Sequence, residues 1–230
     1  PEAASATRSA YFDAVYETNF WTGRKPGVPG SGPGSTAASA RSAVDALKDL
    51  VGDLALDLVI DAPCGDGTWL DPAILAPARH VAVDVSAEAL RRSTFDDGVV
   101  LDLVDPRAVA TLKDLVDAYD RVLILCRHLL FHLPRPEGRA VLDNFRRTGA
   151  TWLLTSTYLR ADDNDRPFVL ADGHKTNLFR PPFCAADPVR LYRDAHPDQY
   201  LALFDLRRPL LLDDHVENGT TTTCPPPSVE

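Results

Sequence analysis

Glycines and acids stand where buried strands are predicted to end. Gly65 and Gly67 follow an apolar run at 56–60, and Asp84 ends the next apolar run. A glycine turn after a strand lets a ligand approach the backbone closely, because no Cβ stands in its way. An acid about 20 residues beyond such a turn is placed to bind ribose hydroxyls in nucleoside-binding sheets. The spacing therefore predicts a nucleoside site, and the remaining elements have to position this pair.

Apolar runs alternate with helical patterns along most of the chain. Strands are predicted at 56–60, 81–84, 99–103, 121–126 and 151–157, and a closing antiparallel pair at 189–192 and 200–206. Helices are predicted at 36–50, 86–92, 105–118 and 136–147. A helical spacing with one apolar face is formed by Tyr11, Phe12, Val15, Tyr16 and Phe20, and a helical pattern also resumes at Trp69 after the glycine turn. Continuous apolar strands between helices indicate an α/β fold with a sheet covered on both faces. We expect a doubly wound, mostly parallel seven-stranded sheet whose last strand is antiparallel.

Composition outside these elements predicts the domain limits. Residues 11–212 are expected to form one domain, with a flexible N-terminus at 1–10 and a disordered tail at 213–230. The stretch 21–35 holds five glycines and three prolines, so it is either a linker or a lid over the glycine turn. The irregular segment 158–188 is typical of a functional loop. The chain contains no methionine, so we expect a processed product or a piece of a larger polypeptide.

Charge and cysteine usage exclude several kinds of partner. A net charge of −9 argues against nucleic acid or an anionic membrane as the main partner. No apolar run of roughly 18 residues or signal peptide is present. The four cysteines lack the spacing of a metal site, so no metal is expected. Cys64 and Cys126 are expected to be reduced, partly buried thiols, which favours a cytoplasmic location.

Three motifs stand out in the chain, and they read Asp-Ala-Pro-Cys-Gly-Asp at 61–66, Ser-Gly-Pro-Gly-Ser at 31–35 and Cys-Arg-His-Leu-Leu-Phe-His-Leu at 126–133. Together they resemble the class I S-adenosylmethionine-dependent methyltransferases. The combination is similar to a small branch of that family, and the resemblance extends over about residues 11–206. It implies a Rossmann-like fold, S-adenosylmethionine as methyl donor and S-adenosylhomocysteine as product. The family pattern has an acid where His128 stands here.

The resemblance also implies a donor site. Asp61 would lie near the amino group of the donor, Gly65 and Gly67 would leave room for its methionine and ribose portions, and Asp84 would accept both ribose hydroxyls. Asp102 would accept from the exocyclic amine of adenine. The complete set implied for the donor is Ser35, Asp61, Pro63, Gly65, Asp66, Trp69, Asp84, Asp102, Leu103 and Cys126.

A dinucleotide-dependent dehydrogenase is the nearest alternative for such a fold. Its turn would favour G-x-G-x-x-G, because pyrophosphate needs several free amides. Here Asp66 stands between the glycines. A carboxylate at that point repels a diphosphate and tolerates a sulfonium zwitterion, so the methyl donor is the better interpretation.

The candidate catalytic residues follow the fourth predicted strand. Methyl transfer is an in-line displacement that benefits from alignment in a dry site, and a hydroxyl acceptor usually needs a base. His132 is the first candidate for that base, since histidine titrates near neutral pH. His128 is a second candidate, and Arg127 is expected either to orient a polar acceptor or to pair with a nearby acid.

The irregular segment at 158–188 supplies the candidate acceptor-binding residues. They are Tyr158, Asn164, Asp165, His174 and Asn177. So polar a set favours O-methylation of a polar small molecule, with a sugar or glycan hydroxyl as first choice. Two alternatives stay open at this point: N-methylation of a small amine or a protein side chain, and a non-catalytic donor-binding module of a larger protein.

Overall fold

A seven-stranded sheet organises the molecule. The computed structural model describes residues 2–23, 25–161, 174–211 and 224. The strands are β1 (Leu58–Asp61), β2 (Arg79–Asp84), β3 (Gly98–Val100), β4 (Val122–Cys126), β5 (Trp152–Tyr158), β6 (Arg190–Arg193) and β7 (Gln199–Asp205). Their order is β3-β2-β1-β4-β5-β7-β6, with β1 to β5 parallel and β7 antiparallel to both neighbours. The predicted fold class is confirmed.

Helices cover both faces of this sheet. They are α1 (Glu2–Glu17), α2 (Ala37–Asp53), α3 (Ala87–Arg92), α4 (Ala108–Val116) and α5 (Arg135–Arg147). Side chains of β1 alternate between two buried clusters: Ile60 joins one that includes Phe145 of α5, and Val59 joins the other, which includes Leu47 of α2. This double burial is the reason that the strands are apolar at every position.

The N-terminus differs from its predicted flexibility. Residues 2–10 are helical and belong to α1. Arg8 forms an ion pair with Asp102, and Asp13 accepts hydrogen bonds from the Ser86 hydroxyl (2.6 Å) and the Glu88 backbone N–H (3.1 Å). These polar contacts hold the helix against the rest of the domain, and the spacing of apolar residues does not predict them.

The helix predicted to resume at Trp69 is absent. A short 3-10 helix at Pro72–Leu75 takes its place, capped by the Asp71 side chain. Pro72 and Pro77 explain the difference, because a proline removes a backbone donor and disfavours helical geometry in the residue before it. The glycine turn therefore does not open an α-helix.

The third strand is shorter than predicted. It ends at Val100, so Asp102 lies in the turn beyond it and accepts a hydrogen bond from the Val104 backbone N–H at 3.0 Å. Asp105 caps the following turn through the Arg107 N–H at 2.8 Å, and α4 begins only at Ala108. The prediction misplaced these boundaries because Asx turns interrupt an otherwise apolar stretch.

The cysteines divide into two pairs. Cys64 and Cys126 are free and buried. Cys184 and Cys224 form a disulfide across a sequence separation of 40. The other residues of the tail, 213–223 and 225–230, lie outside the described part of the chain.

Candidate active site

A cavity of about 450 Å³ lies at the carboxyl ends of the parallel strands. Residues directly after β1, β2 and β4 form its floor, and α1 and the 31–35 segment form its roof. The residues that line it are Phe12, Tyr16, Trp21, Ser31, Gly32, Pro33, Gly34, Ser35, Ser39, Pro63, Cys64, Gly65, Trp69, Asp84, Val85, Arg127, His128, Leu129, Phe131, His132, Tyr158, Ala195, His196 and Gln199. Open α/β sheets bind ligands at this edge.

Asp84 is fixed at the cavity wall by backbone donors. Its Oδ2 accepts the Gly65 N–H and its Oδ1 accepts the Ser86 N–H, both at 2.9 Å. Burial raises the pKa of this carboxyl to about 6, against the opposing effect of these hydrogen bonds. Each carboxylate oxygen keeps a further lone pair, so Asp84 can accept ligand hydroxyls.

The two glycines of the turn make room for the protein itself. Gly65 and Gly67 have φ of +60° and +68°. A Cβ at Gly67 would stand 2.6 Å from the Phe95 ring, and one at Gly65 would stand 3.0 Å from the Ser31 hydroxyl and 3.2 Å from that of Tyr16. A side chain at either glycine would therefore collide with the protein, and Gly65 also lines the cavity.

Asp66 fastens the 31–35 segment to the turn. Its carboxylate accepts hydrogen bonds from the Ser31 backbone N–H at 3.1 Å, from the Ser31 hydroxyl and from the Thr68 hydroxyl at 2.8 Å. Ser31 Oγ in turn accepts the Asp66 N–H at 3.2 Å. Asp66 thus holds the roof of the cavity and is not itself part of the lining.

Asp102 is engaged by the N-terminal helix. Arg8 donates to its Oδ2 through Nε at 3.0 Å and Nη2 at 2.8 Å, and also reaches Glu137 at 3.0 Å. Asp102 borders a second cavity of about 420 Å³ between α1 and the start of α4, and Val85 lines both cavities. Leu103 is buried beneath it in the apolar core.

Asp61 lies below the cavity floor. It is fully buried, its Oδ2 is 3.9 Å from His80 Nε2, and within the described residues neither of its oxygens has a hydrogen-bond partner. Burial raises the pKa of this carboxyl, with His80 opposing the effect. Cys126 is also buried below the floor, where burial raises its pKa to about 12. Of the other predicted donor residues, Ser35, Pro63 and Trp69 line the cavity.

Arg127 joins three elements. It donates to Asp194 through Nε at 3.0 Å and Nη2 at 3.1 Å, and both terminal nitrogens donate to the Gly34 carbonyl at 3.1 Å. Its guanidinium also stacks on Trp69, 4.8 Å from the ring centroid. Of the two roles expected for Arg127, the geometry shows the pairing with an acid. Asp194 was not singled out by sequence reasoning, because no motif marks it.

His128 has an unusual backbone conformation, with φ of +64°. Its N–H donates to Ser156 Oγ at 3.1 Å, and its ring Nε2 contacts the Gln199 amide nitrogen and lies 3.5 Å from Asp194 Oδ2. Burial lowers the pKa of the imidazole, although Asp194 acts in the opposite direction. Burial therefore disfavours the charged form of the ring.

His132 stands in an aromatic environment. Its ring stacks on Trp21 with centroids 4.9 Å apart and lies 4.2 Å from the Phe131 centroid. Burial lowers its pKa to about 3, with smaller contributions from His128 and His174. Within the described residues Nδ1 has no hydrogen-bond partner. This nitrogen can accept a hydrogen bond, but the imidazole is a weak base.

The predicted acceptor-binding residues separate in the structure. Tyr158 lines the cavity, and burial raises the pKa of its hydroxyl to about 12. Asn177 is buried and donates to the Leu159 and Ala161 carbonyls at 3.1 Å each, and His174 is not part of the lining. Asn164 and Asp165 lie outside the described residues.

Aromatic side chains line the cavity together with polar ones. Phe12, Tyr16, Trp21 and Phe131 all face the cavity. The helical spacing of Phe12 and Tyr16 marked them as one apolar face without saying what that face would cover. Across 2–23, 25–161, 174–211 and 224, no group of three or more metal-binding side chains is assembled. In the same ranges no helix has the length and apolarity to cross a membrane.

Comparison with known proteins rests on structure alone. No family model and no curated protein matches the sequence. Magnesium protoporphyrin IX methyltransferase (ChlM) from Synechocystis PCC 6803 with bound SAH superposes with a TM-score of 0.55 and 18% identity, over 86% of this chain and 97% of that one. An S-adenosylmethionine (SAM)-dependent methyltransferase from Anabaena variabilis ATCC 29413 gives 0.55 and 14%, over 88% and 94%.

Human N-acetylserotonin methyltransferase in complex with SAM is also similar, with a TM-score of 0.50 and 14% identity over 87% of this chain and 56% of that one. Identities this low establish the fold and leave the activity undetermined. The strand order and the three structural likenesses together show that this chain has the Rossmann-like fold of the SAM-dependent methyltransferases.

Proposed function

We propose that this chain binds S-adenosylmethionine and transfers its methyl group to a small molecule. The observation that carries the proposal is the Gly65–Asp84 hydrogen bond, which holds a buried carboxylate at the cavity wall. It occurs in a fold whose structural neighbours include ChlM with bound SAM and with bound SAH. S-adenosylhomocysteine (SAH) is the expected product.

The residues present fit this donor. Asp84 would hold the ribose hydroxyls, while the rings of Tyr16, Trp21 and Trp69 offer π-faces to a sulfonium cation. A second cavity beside Asp102 shares Val85 with the first, and it would take the adenine base. When bound, S-adenosylmethionine supplies an electrophilic methyl group, which the protein has to shield from water.

We favour O-methylation of a hydroxylated small molecule that carries a ring. Trp21, Phe131 and Tyr158 give the cavity flat apolar walls on which a phenol or a sugar ring can stack. His132, stacked on Trp21, lines the same part of the cavity and would help to position the reacting group. Of the residues of the 158–188 segment predicted to bind the acceptor, Tyr158 lines the cavity, whereas His174 and Asn177 are not part of the lining.

N-methylation is the second candidate. A hydroxyl acceptor usually needs a base, and His132 is a weak one because burial lowers its pKa to about 3. An amine that is already neutral needs no base, which favours N-methylation. In either reaction the chain's own contribution is alignment and exclusion of water.

Calorimetry with S-adenosylmethionine and S-adenosylhomocysteine tests the donor. Asp84→Asn keeps the shape of the side chain and should weaken binding by about tenfold or more, since hydrogen bonds to a charged group are worth about 1.5–3 kcal/mol. Asp97→Asn is the control, because Asp97 is exposed and paired with Arg79. Binding of neither compound by the wild-type chain would refute the proposal.

A panel of phenols, sugars and amines, assayed for SAH release, then tests the acceptor. Turnover of the amines alone would select N-methylation. Donor binding without turnover of any acceptor would favour the non-catalytic module.

A further inference from the structure

The contacts of the His128 ring define which of its nitrogens carries the proton. Nε2 contacts the side-chain amide nitrogen of Gln199. An amide NH₂ group only donates hydrogen bonds, so the assignment depends on which way the Gln199 amide is turned.

Asp194 fixes the orientation of that amide. The same Gln199 nitrogen lies 3.1 Å from Asp194 Oδ2. Asp194 is buried and receives the Arg127 guanidinium through two nitrogens, and this pairing keeps its carboxyl ionised. An ionised carboxylate accepts only, so the amide must present N–H, and not oxygen, to Asp194. The second hydrogen of the same NH₂ group is then free for His128.

His128 Nε2 is consequently an acceptor. A proton on Nε2 would face the amide hydrogen of Gln199, which is an unfavourable contact. In a neutral imidazole one nitrogen accepts and the other donates, so the proton resides on Nδ1. The lowered pKa of His128 agrees with a neutral ring.

We propose that His128 presents Nδ1–H to the cavity as a hydrogen-bond donor for an oxygen of a bound ligand, and that it does not act as a proton-accepting base. The identity of the ligand rests on the function proposed above, whereas the position of the proton does not. This role differs from the one that the acid of the resembling family would have at this place, because an ionised acid cannot donate.

The Nδ1 edge of the ring packs beside Gly34, and both residues line the cavity. A Cβ at Gly34 would stand 2.7 Å from Nδ1 and 2.6 Å from Cε1, so only glycine leaves this edge its space, and Arg127 holds the Gly34 carbonyl in place. Within the described residues Nδ1 has no hydrogen-bond partner in the protein. The chemistry that would satisfy it is an oxygen lone pair, either on the carboxylate of the methyl donor or on the acceptor.

Heteronuclear NMR of ligand-free protein, labelled with heavy nitrogen at histidine, reads the tautomer directly. We expect a pyrrole-type resonance for Nδ1 of His128 and a pyridine-type resonance for Nε2 at neutral pH. In Gln199→Leu the donor is removed, and Nε2–H can pair with Asp194, so the tautomer should switch. A proton on Nε2, or an imidazolium, in the wild-type chain would overturn the proposal.

A matched pair of substitutions tests the donor role in binding. His128→Asn retains an N–H near the position of Nδ1, and His128→Asp offers only acceptors; both residues tolerate the positive φ. If the ligand oxygen belongs to the methyl donor, the Asp variant should bind S-adenosylhomocysteine about tenfold more weakly than the Asn variant. The two variants should then bind 5′-methylthioadenosine equally, because it lacks the carboxylate.

If the oxygen belongs to the acceptor, the two variants should bind S-adenosylhomocysteine equally and differ in acceptor turnover, with the Asp variant the slower. An Asp variant that equals or exceeds the Asn variant in both binding and turnover would refute the donor role. Failure of the wild-type chain to bind S-adenosylhomocysteine would refute the proposed function, and the tautomer measured without ligand remains a separate result.

Discussion

Replacing Asp194 with asparagine should destabilise the protein strongly. The side chains of Arg127 and Asp194 are 2% and 0% exposed, so the substitution leaves a buried guanidinium with the Gly34 carbonyl as its remaining strong acceptor. Removing one partner of a buried ion pair costs about 3–5 kcal/mol.

The pKa of Asp194 gives an independent magnitude. A fall from the ordinary 3.8 to about 2 corresponds to roughly 2–2.5 kcal/mol of stabilisation of the ionised form. Because the folded pKa is depressed, this stabilisation is present above about pH 4 and is lost as the pH falls towards 2. We therefore expect Asp194→Asn to lower the free energy of unfolding by about 3 kcal/mol at pH 7, and to differ less from wild type at acid pH.

Urea unfolding at several pH values, with unchanged m-values, measures the effect. Asp117→Asn is the control, because Asp117 forms an exposed pair with Lys113 and should change stability by no more than about 0.5 kcal/mol. The double variant Arg127→Met with Asp194→Leu should recover much of the loss, since no charge remains buried. A loss below about 1 kcal/mol in Asp194→Asn would show that water or another donor compensates the arginine, and the reasoning would fail.

Three further predictions follow from other contacts. Gly67→Ala should lower the free energy of unfolding by about 1–3 kcal/mol, because the new Cβ meets Phe95 and the residue keeps a positive φ. Gly52→Ala, with open space around it in α2, should instead raise it by up to about 1 kcal/mol, and thermal unfolding compares the two variants. Ser86→Ala should cost about 1 kcal/mol by loss of the α3 cap, and a variant as stable as wild type in urea unfolding would contradict this. SAH affinity should rise with pH through about 6 as Asp84 ionises, an inflection that calorimetry should not find in Asp84→Asn.

Local apolar patterns and spacing predicted the strands of the sheet, but they predicted the segments that join the strands less well. The strands were recognisable because each is buried on both faces and so lacks polar positions, as the alternation of Val59 and Ile60 between two clusters shows. The Ser86 cap was also predictable, because the whole interaction lies within one turn. The helix predicted after Gly67 was wrong because the apolar pattern there is interrupted by Pro72 and Pro77, which disfavour a continuous α-helix.

The network around the candidate site could not be predicted in this way. Arg127 meets Asp194, which is 67 residues away in sequence, and Arg8 meets Asp102 across 94 residues. Neither pair carries a local motif, and charged residues of this kind are common on any surface. The acceptor-binding residues were predicted from residue type alone. Residue type does not show that the Asn177 side chain donates its hydrogen bonds to backbone carbonyls.

The position of α1 has a consequence for the kinetics of ligand exchange. Residues of this helix contribute to the walls of both cavities, and the Arg8–Asp102 pair and the Asp13–Ser86 hydrogen bond fasten it there. A nucleoside that enters past this helix would need these contacts to open, so its association and dissociation rates would share one opening step. The side chains of Arg8 and Asp102 are 17% and 6% exposed, so salt screens their pair only weakly. Both rates should therefore change little with ionic strength and rise in Arg8→Ala, while the equilibrium affinity changes much less.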